Sequence, residues 1–164
     1  MPAIIRATAL WNLAVHYFAI PFFVIAGLVI GYFVYLALNR NNAPVVDAML
    51  PRLFGKMTRE YRPERVEPMK DVMSRTSPQG IAGALRGMAA RPDRRADLPK
   101  IMVPTLVLVG DEDVITPPAE AKSMADALPN ARLEVISQAG HLSPYENPSD
   151  ANAAILRFLK SLEN

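Results

Sequence analysis

The chain has 164 residues, of which 51% are hydrophobic, and its formal net charge is +2 at pH 7. A charge balance so close to neutral, with no nucleic-acid-binding motif beside it, argues against a nucleic-acid-binding protein. The sequence contains no cysteine, which agrees with a reducing compartment but does not exclude an oxidising one.

The first 40 residues contain a long apolar run. Residues 7–39 include no Asp, Glu, Lys or Arg, and residues 17–38 are mainly aliphatic, aromatic or glycine. As a helix with a rise of ~1.5 Å per residue, residues 17–38 would be about 33 Å long, enough to cross a hydrocarbon layer of roughly 30 Å. The pattern predicts a membrane anchor at residues 1–40 with one transmembrane helix. A cleaved signal peptide and a buried helix are the alternatives, and the length of the run argues against the former.

Two further features of this region concern the membrane. Gly27 and Gly31 form a Gly-x-x-x-Gly pair, which predicts a strip where another transmembrane helix packs closely. Four basic residues lie between positions 40 and 59, whereas only Arg6 precedes the run. This bias favours a single-pass membrane protein with a cytoplasmic C-terminal part. The expected partners are membrane lipid and other membrane protein subunits.

Residues 41–100 are predicted to form a helical region that ends in a linker. From position 52 to position 100, twelve basic residues stand against six acidic ones, a net charge of +6. Ser77 is the expected cap of a helix with Pro78 at its first position. The apolar periodicity predicts helices at residues 45–54, 65–73 and 81–88.

The C-terminal part alternates strand and helix patterns. An apolar run at residues 103–109 predicts a strand, Thr116 precedes a predicted helix, and residues 132–136 predict a second strand. A last helix is predicted from Pro148 to about residue 162. Because one helix connects the two strands, they are expected to lie parallel in a βαβ unit.

An acidic and a basic side chain follow these two strands. Asp113 lies in Gly-Asp-Glu-Asp after the first strand, and His141 lies in Ala-Gly-His after the second. The carboxyl ends of parallel strands share one edge of a sheet, where catalytic groups usually lie. A histidine that takes a proton from a nucleophile needs a carboxylate to set its tautomer and stabilise its charged form. Asp113 and His141 are therefore predicted to be an acid and base pair.

These motifs resemble a known family. From about Ala43 to the end, the sequence resembles the C-terminal half of an α/β-hydrolase, with a helical cap, the run Val-Pro-Thr-Leu-Val-Leu-Val-Gly-Asp-Glu-Asp, the Gly-His pair and a final helix. The resemblance implies that Asp113 is the acid and His141 the base of a catalytic triad. The family also carries its nucleophile in a Gly-x-Ser-x-Gly elbow. None of the seven serines of this sequence has glycines at that spacing.

The predicted fold class is a single N-terminal transmembrane helix followed by a truncated α/β domain. The domain consists of a cap-like region at residues 41–100 and a two-stranded parallel hydrolase remnant at residues 101–164. The unalternating apolar strand at residues 103–109 is typical of a strand paired on both edges, so the open sheet edge is a second predicted partner surface.

Two functions are compatible with this sequence. The first is a membrane-anchored accessory subunit of a larger complex, a pseudoenzyme in which Asp113 and His141 are vestigial. The second is a membrane-tethered ester or lactone hydrolase whose nucleophile comes from another chain or from a residue such as Ser143. No cofactor or metal site is predicted.

Overall fold

The computed structural model describes residues 42–163 together with Gly31 and Val34. The predicted transmembrane segment at residues 17–38 therefore lies outside the described residues, apart from those two positions. Within the part of the chain that is described, no helix is both long and apolar enough to cross a membrane.

The described elements follow one another in the order helices, strand, helix, strand, helices. The four helices before the sheet are α1 (Ala43–Leu53), α2 (Lys56–Tyr61), α3 (Pro63–Arg75) and α4 (Pro78–Ala89). A 3₁₀ helix at Arg95–Lys100 leads to β1 (Thr105–Gly110), α5 (Pro118–Ala127) and β2 (Ala131–Ile136). The chain continues through α6 (Ser143–Glu146) and α7 (Pro148–Lys160). Each predicted strand lies within two residues of an observed one.

The described residues divide into two compact units. One contains residues 42–48 and 70–92, and the other contains residues 49–69 and 93–163. In the first unit, α4 begins as the sequence predicts, because the Ser77 hydroxyl accepts a hydrogen bond from the Gly80 amide at 3.0 Å. Pro78 occupies the first turn of that helix, where its missing N–H costs nothing.

The second unit is built around the predicted parallel strand pair. Thr105 pairs with Ala131 and Gly110 with Ile136, so β1 and β2 run side by side for their full length. Parallel strands need a crossover, which here is α5. The register brings the carboxyl ends of both strands to the same edge, directly before the loops that carry Asp113 and His141.

Helices cover both faces of this strand pair. Val107 and Val109 pack with Ala121 of α5 on one face, and Leu108, one position out of phase, packs against the cluster containing Ala154 of α7 on the other. Successive strand side chains point to opposite faces, so a continuous apolar strand needs cover on both sides. The short alanines of α7 allow that helix to lie close to the sheet.

Candidate active site

The acid loop, residues 111–116, folds around the Asp113 carboxylate. Oδ1 accepts hydrogen bonds from the amides of Ile115 at 2.8 Å and Thr116 at 2.9 Å, and Oδ2 accepts one from the Thr116 hydroxyl at 2.9 Å. Aspartate readily forms such turns because its short side chain reaches the amides two and three residues ahead. The loop therefore fixes the position of the carboxylate by local hydrogen bonds alone.

The loop that follows β2 brings His141 to this carboxylate. His141 Nδ1 lies 2.9 Å from Asp113 Oδ2 and 3.2 Å from Thr116 Oγ1. Because an ionised carboxylate only accepts hydrogen bonds, we assign the proton to Nδ1, which leaves Nε2 with a lone pair. The Asp113 side chain is 4% exposed and that of His141 36% exposed. The acid is thus enclosed while the base remains accessible.

The electrostatics of the pair favour an ionised acid. Burial raises the pKa of Asp113, but the hydrogen bonds from the Thr116 amide, His141, the Ile115 amide and the Thr116 hydroxyl together outweigh it, so the pKa lies below its ordinary value. Hydrogen bonds to the charged form stabilise that form. At neutral pH the Asp113 carboxylate is therefore negative and able to stabilise a protonated imidazole.

Three glycines allow backbone segments to meet beneath the pair. A Cβ at Gly110 would lie 2.6 Å from the carbonyl carbon of Ala139, and one at Gly140 would lie 2.7 Å from the carbonyl carbon of Phe54. A Cβ at Gly55 would lie 2.9 Å from the backbone nitrogen of Gly140. Atoms at such distances overlap, so these positions require glycine for close approach.

Glu146 joins these segments and was not identified from the sequence. Its side chain is completely buried, and its two oxygens accept the amides of Gly55 at 2.7 Å and Gly140 at 2.8 Å. Gly140 immediately precedes His141, so the Glu146 carboxylate fixes the start of the histidine loop. A glutamate in a short polar segment usually lies on the surface, and no local signal indicated its burial.

The outcome for the other sequence candidates is mixed. Ser143, considered as an alternative nucleophile, is buried with 4% exposure at the start of α6. Gly27 lies outside the described residues, and a Cβ at Gly31 would meet no atom within 4 Å. The packing strip that the sequence predicts for these two glycines stays a prediction.

Comparison with known proteins extends these observations. The sequence matches the family described as the alpha/beta hydrolase fold over residues 28–148. It is 36% identical over 75% of its length to a pimeloyl-[acyl-carrier protein] methyl ester esterase from Neisseria meningitidis, and covers 41% of that protein. It is 29% identical over 76% of its length to 3-oxoadipate enol-lactonase 2 from Acinetobacter baylyi, and covers 46% of that protein.

Solved structures of hydrolases also resemble this chain. A malate-bound thermophilic esterase from Thermogutta terrifontis superimposes with a TM-score of 0.80 and 34% identity, over 85% of this chain and 51% of the esterase. An enol-lactonase from Burkholderia xenovorans superimposes with a TM-score of 0.72 and 29% identity, over 78% of this chain and 48% of that one. The chain spans about half the length, or less, of these relatives.

The family match corrects the predicted fold class and location. Because the match to this family begins at residue 28, inside the predicted membrane anchor, the prediction of an unrelated transmembrane helix before a truncated hydrolase domain is wrong. The predicted single-pass membrane localisation is wrong for the same reason. Hydropathy alone does not distinguish a membrane span from a continuously apolar element of an α/β protein.

The pseudoenzyme interpretation is also contradicted. The relatives are named as an esterase, an enol-lactonase and a methyl ester esterase, all of which are hydrolytic enzymes. The resemblance to an α/β-hydrolase over part of the chain, stated from the sequence motifs, is confirmed.

Proposed function

This chain belongs to the α/β-hydrolase fold family, and on that premise we propose that it acts in the hydrolysis of ester or lactone bonds, with Asp113 as the acid and His141 as the base. The observation that supports this proposal is the 2.9 Å separation of His141 Nδ1 from a buried, ionised Asp113 carboxylate. The hydrolase names of the relatives favour the same class of reaction.

In the proposed mechanism, His141 transfers one proton in each half of the reaction, first from the nucleophile to the leaving group and then from water to the nucleophile. Nε2 takes the proton of the attacking hydroxyl while its oxygen bonds to the carbonyl carbon, and the imidazolium then gives that proton to the departing alkoxide. Water then attacks the acyl intermediate while Nε2 takes one of its protons, and the imidazolium gives that proton to the nucleophile oxygen as the bond to the acyl group breaks and the carboxylic acid leaves. Asp113 stays ionised throughout, holds the Nδ1 proton in place, and stabilises the imidazolium.

The nucleophile in this proposal is a hydroxyl group outside the 164 residues of this sequence. The sequence contains no Gly-x-Ser-x-Gly elbow, and Ser143, the serine nearest to His141 in sequence, is buried. A nucleophile needs an accessible oxygen with donors placed for the developing oxyanion. A segment carrying such an elbow would complete the acid and base pair.

The test combines turnover with identification of the nucleophile. The protein is isolated from its native source with any polypeptides that remain bound, and is assayed on p-nitrophenyl acetate and δ-valerolactone. We expect Asp113→Asn to reduce kcat by about 10⁴-fold, as loss of the orienting carboxylate does in related triads. His141→Ala should have a similar effect, and Asp71→Asn, an exposed carboxylate of α3, serves as the matched control.

A fluorophosphonate probe labels the activated serine and identifies its polypeptide by mass spectrometry. We expect the label on a serine outside this sequence and no label in the His141→Ala preparation. Turnover that survives both substitutions would refute the proposed acid and base. A label on Ser143 would keep the reaction but overturn the source of the nucleophile.

A further inference from the structure

Glu146 lies at the end of α6, about one turn after the loop that carries His141, and its side chain reaches back to that loop. Oε1 accepts the Gly140 amide at 2.8 Å and Oε2 accepts the Gly55 amide at 2.7 Å. The residue is completely buried. Its hydrogen bond to Gly140 links a buried carboxylate to the backbone that leads directly into His141.

The backbone is anchored on both sides of His141. On the preceding side the Gly140 amide donates to Glu146, and on the following side the Leu142 amide donates to the Leu53 carbonyl at 3.2 Å. A hydrogen bond to a charged group is roughly twice as strong as one between neutral groups, so the Glu146 anchor is the stronger of the two. The direction in which His141 leaves the backbone, and with it the position of the imidazole, depends on these two anchors.

Glu146 is itself held by the helical part of the second compact unit. The Arg62 guanidinium donates to its backbone carbonyl at 3.1 Å, and the hydroxyl of the neighbouring Tyr145 donates to the Arg65 carbonyl at 2.9 Å. The Gly55 amide binds the second carboxylate oxygen. The carboxylate is thus fixed by contacts that do not involve the histidine loop, which is what an anchor for that loop requires.

A carboxylate suits this double contact better than a neutral group would. None of the ion pairs among residues 42–163 includes Glu146, and burying a carboxylate without a cation is costly. Both of its oxygens act as acceptors, whereas a glutamine side chain offers one acceptor oxygen and a donor. The carboxylate therefore holds Gly55 and Gly140 at the same time, and it ties the histidine loop to the corner between α1 and α2.

From these contacts we propose that Glu146 is a positioning residue for the acid and base pair. By holding the Gly140 amide, it keeps Nδ1 of His141 within hydrogen-bond distance of Asp113 and leaves Nε2 for the reacting groups. This inference rests on the proposed function for the reaction itself. Misplacement of a catalytic group by about 1 Å can cost about 100-fold in rate, so a loosened histidine loop should slow the reaction even where the protein remains folded.

Nuclear magnetic resonance of the histidine ring tests this proposal without requiring turnover. The sequence contains two histidines, His16 and His141, so ¹⁵N-histidine labelling of the full chain gives a simple spectrum, and His141→Ala assigns it. We expect one tautomer of His141 in the unmodified protein, with its proton on Nδ1. In Glu146→Gln that proton should exchange with water at least about tenfold faster, because a charge-assisted anchor is lost and the loop opens more often. Glu146→Ala should show a larger effect, and Glu146→Gln alone decides the test if Glu146→Ala does not fold.

Leu128→Ala is the matched control for a general loss of stability. Leu128 is buried in the cluster that packs α5 against β1, and its truncation destabilises the protein by leaving a cavity. It should lower the melting temperature, as the Glu146 variants do, but leave the exchange of the His141 proton unchanged in spectra recorded well below all melting temperatures. An equal effect in Leu128→Ala, or no effect in Glu146→Gln, would overturn the proposal.

Hydrolysis by the complete assembly gives the second measurement. We expect kcat to fall about tenfold in Glu146→Gln and about 100-fold in Glu146→Ala, with KM changed by less than about twofold, because the orientation of the base is lost and substrate binding is not. Faster proton exchange in the Glu146 variants without any hydrolysis by the unmodified assembly would retain the positioning of the ring and refute the reaction. Hydrolysis that depends on His141 but is equal in both Glu146 variants and the unmodified protein would retain the reaction and refute the positioning role.

Discussion

The edge of the sheet that carries Asp113 and His141 differs in construction from the helices α3 and α4. At the sheet edge, Gly110, Ala139, Gly140 and Glu146 are buried, and their contacts join segments up to 91 residues apart in sequence. Helix α3 has no buried residue and α4 has only one, Ala82. Near its start α3 is joined to a distant segment through Arg65 and Tyr145, but the side-chain hydrogen bonds at its end are local, such as Arg75 to Asp71. The proposed chemistry thus lies where distant segments fix one another, whereas the end of α3 and the start of α4 depend on local hydrogen bonds.

The largest difference in the free energy of unfolding is expected between glycine substitutions in the two regions. In Gly110→Ala the new Cβ would overlap the backbone of Ala139 and Gly140, and backbone atoms cannot move aside without separating the acid and histidine loops. We expect a loss of about 3 kcal/mol or more in the free energy of unfolding, in the range of severe steric mutants. Urea denaturation measures this loss.

Gly83→Ala in α4 is the matched control for that substitution. A Cβ at Gly83 meets nothing within 4 Å, and alanine in a helix is favoured over glycine by about 1 kcal/mol. The control should therefore be neutral or stabilising. If both substitutions destabilised equally, the contrast between the two regions would be wrong.

A second large effect is expected at Glu146. Glu146→Ala leaves the buried amides of Gly55 and Gly140 without their acceptor, which should lower the free energy of unfolding by about 3 kcal/mol. Glu146→Gln keeps one oxygen acceptor but places a donor NH₂ group opposite an amide, so it should recover only part of the loss. Chemical denaturation of both variants checks whether Glu146→Ala loses more free energy of unfolding than Glu146→Gln.

A third measurement uses pH. The folded-state pKa of Asp113 is lowered, so its contribution to stability is complete above the unfolded value of about 3.9 and is lost as the pH falls through the folded-state pKa. Asp113→Asn should cost about 2 kcal/mol at neutral pH, and the difference from the unmodified protein should shrink below about pH 4. Stability curves from pH 7 to pH 2 measure this convergence.

Asp93 supplies the control for the pH experiment. The side-chain hydrogen bond from Arg95 lowers the pKa of Asp93 to about 2, but both groups are exposed to solvent, which weakens their coupling to folding. Asp93→Asn should leave the pH dependence nearly unchanged. If the stability difference between Asp113→Asn and the unmodified protein stayed constant down to pH 2, Asp113 would not be an ionised, hydrogen-bonded acid in the folded protein.

The smallest effect is expected at a helix cap in the local region. Ser77→Ala removes the acceptor of the Gly80 amide and should cost about 1 kcal/mol, with no change at the sheet edge. Amide hydrogen exchange should show the loss confined to the first turn of α4. Altered exchange at residues 139–141 would instead indicate that the two regions are coupled.

Much of the strand and helix pattern was predictable because it depends on local or periodic features. The run at residues 103–109 predicted a strand that is observed as Thr105–Gly110, and Ser77 with Pro78 predicted the start of α4. The proximity of Asp113 and His141 followed from parallel strands ending at one edge. The role of this pair as acid and base stays a proposal.

The rest was not predictable because it depends on contacts between distant segments. No property of the sequence around Glu146 indicates that two amides 91 and 6 residues away need its carboxylate. The hydrogen bond from the Lys56 amide to the Glu112 carboxylate likewise joins two segments that no periodicity relates. The apolar run at residues 17–38 led to the wrong prediction of a membrane anchor, because hydropathy by itself does not identify the surroundings of an apolar segment.

The sequence by itself determined the two strands, their helical crossover, the cap at Ser77 and the order of the acidic and basic loops, since each follows from residue type, spacing and chain connectivity. Only the tertiary structure decided which groups are buried and paired. It placed Glu146 between Gly55 and Gly140, and it enclosed Asp113 while leaving His141 accessible. The physical reason is that desolvation and hydrogen bonding depend on neighbours in space, and these neighbours come from segments that the chain order keeps apart.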